Sequence, residues 1–367
     1  MSHVYRVVDL FAGCGGLSAG FLAASGADRV FEPVAAVELD PDAAATYAAN
    51  IGDHVFCGDI AAWLKSSDLP VNVDVLLGGP PCQGFSSLGK REVRDARNAM
   101  WRRYVEAVVL LQPSYFVLEN VREFLKSGQF KSLGQECRPR GKLPDYAIES
   151  YVLDSSLYGS PQRRKRAIVI GRRRSLPELG PPPESTVRSN VRLAFAGLPE
   201  TVLLKALPDK STDTMGGVRP GPYSGLDIHL TRHFTDLSLR RYEAIPTGGN
   251  RFNLPPELLA PCWQKHHNGS GDVMGRMRWD SPSVTIRTEF FKPEKGRYLH
   301  PDADRPITHL EAARLQGFPD DYVWFGSKVS IARQIGNAVP IPLGTALGAH
   351  VLAALMAMDC AAEDSVA

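Results

Sequence analysis

The stretch that decides the fold is YRVVDLFAGCGGLSAGF, residues 5–21. Its first seven residues form a mostly apolar run that is typical of a buried β-strand. Glycines then follow at positions 13, 15, 16 and 20 and predict a tight turn into a helix over 17–25. These glycines do not fit the GxGxxG spacing, which disfavours a nicotinamide-dependent enzyme.

The rest of the chain continues the alternation of apolar runs with amphipathic stretches. In the first half this pattern predicts helices that begin at Asp40-Pro41 and cover 98–111, and strands at 34–39, 55–58, 73–78, 115–119, 151–154 and 167–171. Such alternation predicts an α/β fold with a doubly wound, mostly parallel sheet. Later predictions are a strand at 283–287, a short helix at 308–317, a Gly-Asn turn within 334–340 and a terminal helix at 343–358.

Polar side chains follow the predicted strands, where ligands of such sheets bind. Glu38 ends the second strand, and its carboxylate could accept both hydroxyls of a ribose. Asp59 follows the third strand and could bind an adenine amino group. These positions predict an adenosine-bearing cofactor that needs no phosphate site. Taken singly, each feature also fits a solvated strand end or an ordinary glycine turn.

The segment GGPPCQGFS, residues 78–86, contains the candidate nucleophile Cys82. An isolated cysteine is usually an inert small apolar residue. Here two glycines and two prolines restrict the backbone just before the thiol, as a positioned nucleophile requires. Two further segments have plainer alternatives. Glu119 ends another strand and could be a helix cap, and QRRKR at 162–166 could be an exposed basic run.

Charge is distributed unevenly along a chain that carries 42 Lys and Arg against 40 Asp and Glu. Residues 172–279 hold 15 basic and 10 acidic residues and 12 of the 28 prolines. A loop-rich basic insertion suits a phosphate backbone, although a solvated surface gives the same composition.

Composition excludes several protein classes. Hydrophobic residues make up 44% and charged residues 22%, which is typical of a globular chain and excludes a disordered or fibrous one. The six cysteines contain no CxxC pair, so neither a disulfide framework nor a metal site is predicted. No uninterrupted apolar run reaches the ~18 residues of a membrane span, and the N-terminus lacks a signal-peptide pattern. A cytoplasmic protein is expected.

Eight segments, in this order, resemble the cytosine-carbon-5 DNA methyltransferase family of bacteria and phages. They are DLFAGCGG at 9–16, Glu38, GDI at 58–60, GGPPCQGFS at 78–86, ENV at 119–121, QRRKR at 162–166, RLQGFPDDY at 314–322 and QIGNAVP at 334–340. The resemblance spans nearly the whole chain except about 172–279. It implies the S-adenosylmethionine-dependent methyltransferase fold. It also implies a catalytic and cofactor-binding domain at 1–171, a target recognition domain at 172–279 and a return to the catalytic domain at 280–367.

The resemblance also implies a role for individual residues. S-adenosylmethionine is the expected cofactor, S-adenosylhomocysteine its product, and the cofactor-binding residues are Asp9, Phe11, Gly13, Gly15, Gly16, Leu17, Glu38, Leu39, Asp59, Ile60, Pro80, Asn337 and Val339. Leu39 stands where some relatives carry an aromatic residue, so Phe11 is expected to take more of the adenine stacking. The expected DNA-binding residues are Gln83, Ser86, Lys90, Arg240, Arg241 and Arg251.

The implied chemistry explains why these residue types are needed. Carbon 5 of cytosine becomes nucleophilic after a thiolate, here Cys82, attacks carbon 6. Glu119 would carry or share a proton at ring nitrogen 3 and the exocyclic amine. Arg164 and Arg166 would neutralise charge on the base carbonyl and the flanking phosphate. Because the target carbon is stacked in a duplex, the base must be flipped out, and 83–99 could close over it.

Three alternatives remain at this point. A tRNA-modifying branch resembles the family and uses the same Cys and Glu, although no Cys-Phe-Thr tripeptide is present here. A catalytically silent DNA-binding module is disfavoured by the intact Cys82, Glu119, Arg164 and Arg166. An amino-methylating enzyme would carry an Asp/Asn-Pro-Pro-aromatic turn, whereas here the two prolines are followed by Cys82. A cognate restriction or other defence system could accompany the enzyme, which is expected to act as a monomer on bacterial double-stranded DNA.

Overall fold

The stretch quoted first forms an interior strand of a seven-stranded sheet and the helix that follows it. The computed structural model describes residues 3–26, 29–81, 100–265 and 268–366, with side chains to residue 360. The sheet order is β3-β2-β1-β4-β5-β7-β6, with β1–β5 parallel and β7 antiparallel to both neighbours. Its strands are β1 His3–Leu10, β2 Arg29–Glu38, β3 Val55–Cys57, β4 Val75–Gly78, β5 Tyr115–Val121, β6 Tyr146–Asp154 and β7 Lys165–Arg173. The predicted doubly wound, mostly parallel sheet is therefore confirmed.

Helices cover both faces of this sheet and continue into the second half. The α-helices are α1 Gly16–Ala23, α2 Pro41–Asn50, α3 Ile60–Trp63, α4 Met100–Leu111, α5 Gly128–Glu136, α6 Val191–Phe195, α7 Asp236–Glu243, α8 Pro261–Lys265, α9 His309–Leu315, α10 Lys328–Asn337 and α11 Ile341–Val366. A hairpin of β8 Ser211–Thr214 and β9 Gly217–Pro220 stands apart from the main sheet.

The side chains of β1 show why this strand is interior. Val8 and Leu10 pack into the core that contains α4, whereas Tyr5 and Val7 pack into the core on the other face with α1 and α11. All four are at most 2% exposed. A parallel strand with helices on both faces is buried on both sides, which explains the continuous apolar run in the sequence.

Two strands, β2 and β6, begin about five residues earlier than predicted. β2 begins at Arg29 and pairs with β1 along its whole length, and a register irregularity after Val7 accommodates Pro33. β6 begins at Tyr146 because it is hydrogen-bonded to β7 from Arg173 onward. Local patterns missed both starts because strand pairing, rather than apolar periodicity, extends them.

Two predictions for the end of the chain are wrong. Residues 283–287 form no strand, and only Ser283 makes an isolated bridge, to Gln162. The backbone N–H of Ile286 is instead bonded to the Gln162 side chain at 2.7 Å. Gly336 and Asn337 of the predicted turn are the last two residues of α10, and the chain leaves the helix only at 338–340; Ser327 caps α10, and its Ile331 and Ile335 are buried. Packing of this apolar face overrides the turn propensity of Gly-Asn.

Two cores of the second half contain residues from both sides of the predicted boundary at 279. One core joins the segment 191–228 to 277–341 and includes Phe195, Tyr223, Phe290 and Trp324. A smaller core consists of Tyr242, Ile245, Leu254, Leu258, Met274 and Leu299. Since Leu299 belongs to the smaller core, this packed unit continues past residue 279.

Among the described helices, the stretch Ile341–Cys360 of α11 has the length and apolar composition of a membrane span. Its mean hydropathy is 1.7, and 39% of it is buried. Leu343, Leu347, Val351 and Leu355 are at most 2% exposed and pack with the sheet. One face of the helix is thus a core element, and length and composition alone are weak evidence for a membrane.

Candidate active site

The carboxyl ends of four strands place the predicted motifs along one edge of the sheet. Leu10 at the end of β1 pairs with Val37 of β2 and Gly78 of β4, and Gly78 pairs with Leu118 of β5. The residues that follow these positions include Glu38, Gly79 and Glu119. Parallel pairing therefore brings together motifs that lie up to about a hundred residues apart in sequence.

Glu38 binds the glycine turn after β1. Its Oε2 accepts the Gly13 N–H at 2.8 Å, and its Oε1 accepts the Asp40 N–H at 2.8 Å. Burial raises the pKa of the Glu38 carboxyl, and these N–H donors oppose that shift. Each carboxylate oxygen keeps a further acceptor position, so the side chain can hold its own turn and still bind hydroxyl groups.

Asp9 and Asp59 occupy contrasting environments. Asp9 is 2% exposed and accepts the Ser18 hydroxyl at 2.7 Å. Burial raises the pKa of Asp9 to about 7. Its carboxylate therefore supports the start of α1 from inside. Asp59 is exposed and caps α3 by accepting the Ala61 N–H at 2.6 Å. Only Asp59 of this pair presents its side chain to solvent, where an incoming ligand could reach it.

Some of the other predicted cofactor residues are buried, and others are exposed at the surface. Leu17, Ile60 and Pro80 are buried, as is Val339. A Cβ at Gly16 would lie 2.6 Å from the Val339 carbonyl oxygen, so the start of α1 fits against 338–340 only without a side chain. Leu39 is 69% exposed, and Phe11, with a φ of 58°, is partly exposed. Apolar surface next to Glu38 is thus supplied by these two residues.

Glu119 forms an ion pair with Arg166 across the β5–β7 pair. Arg166 Nε lies 2.8 Å from Glu119 Oε1, and the two side chains are 15% and 12% exposed. Glu119 also borders Gly79, where a Cβ would lie 3.5 Å from Glu119 Oε2. The pair therefore stands beside the Gly-Pro-Pro segment. Cys82 lies outside the described residues, as do Gln83, Ser86 and Lys90.

Arg164 is buried and bonded to the backbone of other segments. It is 3% exposed, and its Nη1 donates to the Ile286 carbonyl at 2.9 Å. Its Nη2 lies 3.4 Å from the carbonyl oxygen of Asn337, at the end of α10. Burial lowers the pKa of the Arg164 guanidinium well below its ordinary value. Arg164 thus joins three segments of backbone from within, and Arg166 is the arginine that contacts Glu119.

Sequence reasoning missed three buried amide side chains that position the site. Asn120 donates to the Pro80 carbonyl at 2.9 Å and fixes the root of the Cys82 segment. Gln162 is fully buried, accepts the Ile286 N–H and donates to Gln316 Oε1 at 2.7 Å. Each belongs to a motif quoted in the sequence analysis, where its charged neighbours are the more obvious candidates for a functional role. Only Gln316, which stands in the stretch Leu315-Gln316-Gly317-Phe318, carried a signal, namely a polar residue among apolar ones.

A groove begins at Arg166 and runs toward the predicted target recognition domain at 172–279, called the recognition segment below. Its first part has a volume of about 450 Å³, and its second part has a volume of about 340 Å³. Both parts share the lining residues Arg163, Pro282, Ser283 and Val284. The cations along it are Arg122, Arg163, Lys165, Arg166, Arg278 and Arg297, against the acids Glu123 and Asp154. This excess of basic groups suits a polyanion.

The three arginines predicted to bind DNA have different surroundings. Arg240 is exposed on the last turn of α7. Arg241 donates to the Leu258 carbonyl at 2.7 Å and lies over the Trp263 ring. Arg251 is 7% exposed and donates to the Asn268 carbonyl at 2.9 Å. Arg251 thus serves the interior of the segment, which disfavours the predicted role in DNA contact, and Arg240 presents the freest guanidinium of the three.

Comparison with known proteins places this site in context. A profile described as C-5 cytosine-specific DNA methylase matches residues 5–353. The chain is 32% identical to the Type II methyltransferase M1.HphI of Haemophilus parahaemolyticus, over 96% of this chain and 87% of that protein. It is 31% identical to the Type II methyltransferase M.XorII of Xanthomonas oryzae, over 95% and 84%.

Solved structures share the fold. The crystal structure of a prophage-encoded DNA modification methyltransferase from E. coli superposes with a TM-score of 0.72 at 24% identity, and covers 96% of this chain and 99% of that chain. The S. pombe Dnmt2 methyltransferase superposes with a TM-score of 0.57 at 16% identity, over 96% and 99%.

Proposed function

This chain belongs to the C-5 cytosine-specific DNA methylase family, and we propose that it methylates carbon 5 of a flipped-out cytosine in double-stranded DNA through a covalent adduct of Cys82. As a DNA (cytosine-5) methyltransferase it acts on DNA, as its type II relatives do. The observation that carries the assignment of residues is the Glu119–Arg166 ion pair of 2.8 Å beside the Gly-Pro-Pro segment.

The residues along the sheet edge fit S-adenosylmethionine. Glu38 is held by two N–H groups and keeps acceptor positions for ribose hydroxyls. Leu39 and Phe11 offer apolar surface to a purine, and Asp59 offers an exposed carboxylate. No atom lies within 4 Å of the position of a Cβ on Gly13, so the glycine turn borders open space. When bound, S-adenosylmethionine supplies an electrophilic methyl group.

The remaining chemistry belongs to the chain's own side chains. The Cys82 thiolate bonds to carbon 6 of the cytosine, and the ring electrons move to carbon 5, which takes the methyl group. Glu119 holds the ring nitrogen and exocyclic amine, while Arg166 orients the Glu119 carboxylate and can neutralise charge on the base carbonyl. Loss of the carbon-5 proton to a base then breaks the bond to sulfur and restores the thiolate.

The basic groove supports DNA as the polymer that reaches this site. It connects Arg166 with the recognition segment 172–279, which supplies Arg278 and Gly248 to its far part. The type II relatives support the further proposal that the enzyme acts on the nucleoid in the bacterial cytoplasm, beside a cognate restriction nuclease or another defence system.

The test is covalent trapping on a duplex that carries 5-fluorocytosine at the target, because fluorine cannot leave as the carbon-5 proton does. We expect the wild-type chain to form a denaturation-resistant complex and Cys82→Ala to form none, with methyl transfer abolished and cofactor affinity nearly unchanged. Cys262→Ala is the matched control, since Cys262 is an exposed free thiol on α8 and should trap like the wild type. Turnover by Cys82→Ala would contradict the assignment.

A further inference from the structure

One arginine of the recognition segment points outward from a strand-like stretch whose neighbours are all anchored. Arg276 and Met277 are 3% and 1% exposed. On the other side, Trp279 Nε1 donates to Asp302 at 2.8 Å. Arg278 between them is exposed and has no hydrogen-bonding or ionic partner among the described residues. Its backbone is therefore fixed while its charged group is unused.

The guanidinium of Arg278 lies against the backbone of the Gly248 turn. A Cβ at Gly248 would lie 2.2 Å from Arg278 Cζ and 2.5 Å from Nη2, so any side chain at this position would displace the guanidinium. Gly248 also has a φ of +75°, which favours glycine. The turn thus serves as a flat support that restricts the plane of the Arg278 group.

A second arginine, Arg297, connects the Gly248 turn to the segment that carries Arg278. Arg297 Nη1 donates to the carbonyls of Gly248 at 2.9 Å, Gly249 at 2.8 Å and Arg276 at 2.9 Å. The Arg276 N–H in turn donates to the Gly249 carbonyl at 3.1 Å. The Gly248 turn and the segment that carries Arg278 are therefore bonded into one unit. The Arg278 guanidinium lies against this unit and makes no direct hydrogen bond to it.

The Arg278 side chain lines the groove that begins at Arg166. Arg278, Gly248 and Arg297 line its second part, which shares Arg163 with the part that reaches Arg166. A duplex in the groove, with its target base near Glu119, would pass Arg163 and then Arg278.

We propose that Arg278 reads a guanine of the target sequence through its O6 and N7 atoms in the major groove, and that Gly248 and Arg297 position it. The inference rests on the proposed function. A planar guanidinium that lies against a backbone turn and keeps its donors free suits bidentate pairing with guanine. A phosphate contact needs only charge, which Arg163 supplies from an exposed position in the same groove.

The experiment compares Arg278→Ala and Arg278→Lys with Arg163→Ala. Bisulfite sequencing of host DNA from cells that express the wild type first identifies the methylated sequence, and duplexes with each base changed in turn are then assayed. We expect both Arg278 variants to lose roughly 5- to 150-fold on the cognate duplex and to accept other bases at one guanine position. Cofactor affinity and the unfolding temperature should match the wild type. Arg163→Ala should instead weaken all duplexes about equally and lower the salt slope by about 1.

Two results would overturn the proposal. One is unchanged selectivity of Arg278→Ala, and the other is a uniform loss that Arg278→Lys restores, which identifies a phosphate contact. Gly248→Ala adds a supporting test, since it should relax the same position as Arg278→Ala, with no added effect in the double variant. Wild-type cells without 5-methylcytosine would contradict the proposed function itself, a result distinguishable from any failure confined to the Arg278 variants.

Discussion

The strand-end edge and the recognition segment use charged residues in opposite ways. At the edge, Glu38, Asp59 and Glu119 are carboxylates that follow strands and keep at least part of their surface open to a ligand. In the recognition segment the conspicuous residues are arginines, and several are spent on the protein's own backbone. Arg276 is the extreme example, with its three guanidinium nitrogens bonded to four carbonyls and to Asp304.

This difference follows from how the two regions are built. A parallel sheet satisfies its own backbone groups through strand pairing, so side chains at its edge are released for chemistry. The recognition segment has little regular structure, and its buried carbonyls need donors from elsewhere. Arginine has five N–H donors and can satisfy several carbonyls at once. A basic composition therefore signals internal support as well as DNA binding in such a segment.

The largest expected effect tests the edge. Replacing Glu119 by Gln keeps its size but removes the carboxylate that pairs with Arg166. We expect the methylation rate to fall about 10²- to 10⁴-fold with an unchanged unfolding temperature. Methyl transfer from labelled S-adenosylmethionine and calorimetric unfolding measure the two. Glu123→Gln is the control from the same groove and should retain most of the activity. A large stability loss in Glu119→Gln would make this edge resemble the recognition segment.

The next effect tests the recognition segment. Arg276→Met removes the donors to four carbonyls, and we expect a loss of about 3–5 kcal/mol in the free energy of unfolding. Urea denaturation measures this loss. The exposed Arg240 in the same segment is the control, and Arg240→Ala should change stability by no more than about 0.5 kcal/mol. Equal stabilities for the two variants would end the distinction between supporting and free arginines.

The smallest expected effect concerns Glu38, which both supports the protein's own backbone and is expected to bind a ligand. Glu38→Ala should weaken S-adenosylmethionine binding roughly 10- to 150-fold, because a charge-assisted hydrogen bond contributes about 1.5–3 kcal/mol. Isothermal calorimetry measures the affinity, with Glu32→Ala, an exposed residue of the same strand, as control. Unchanged affinity would remove Glu38 from the cofactor site and leave it with the Gly13 and Asp40 bonds alone.

Local signals predicted the sheet well and the second half of the chain poorly. Asp40 caps α2 with Pro41 at its first position, as the sequence indicated, because a cap is a property of adjacent residues. The strand at 283–287 failed because the Gln162 side chain, over a hundred residues away, takes the hydrogen bond of Ile286. No local window contains that partner.

The sequence by itself determined the order of the strands and helices in the first half, the motifs at the strand ends and the family to which they point. Those features depend on apolar periodicity and on residues adjacent in the chain. Only the tertiary structure decided which arginines are buried and which keep an exposed or acid-paired guanidinium. Arg164 is buried and Arg166 pairs with Glu119, and Arg251 is buried while Arg278 lies exposed on Gly248. The reason is that equal side chains acquire different roles from backbone carbonyls and packing surfaces that distant segments bring to them.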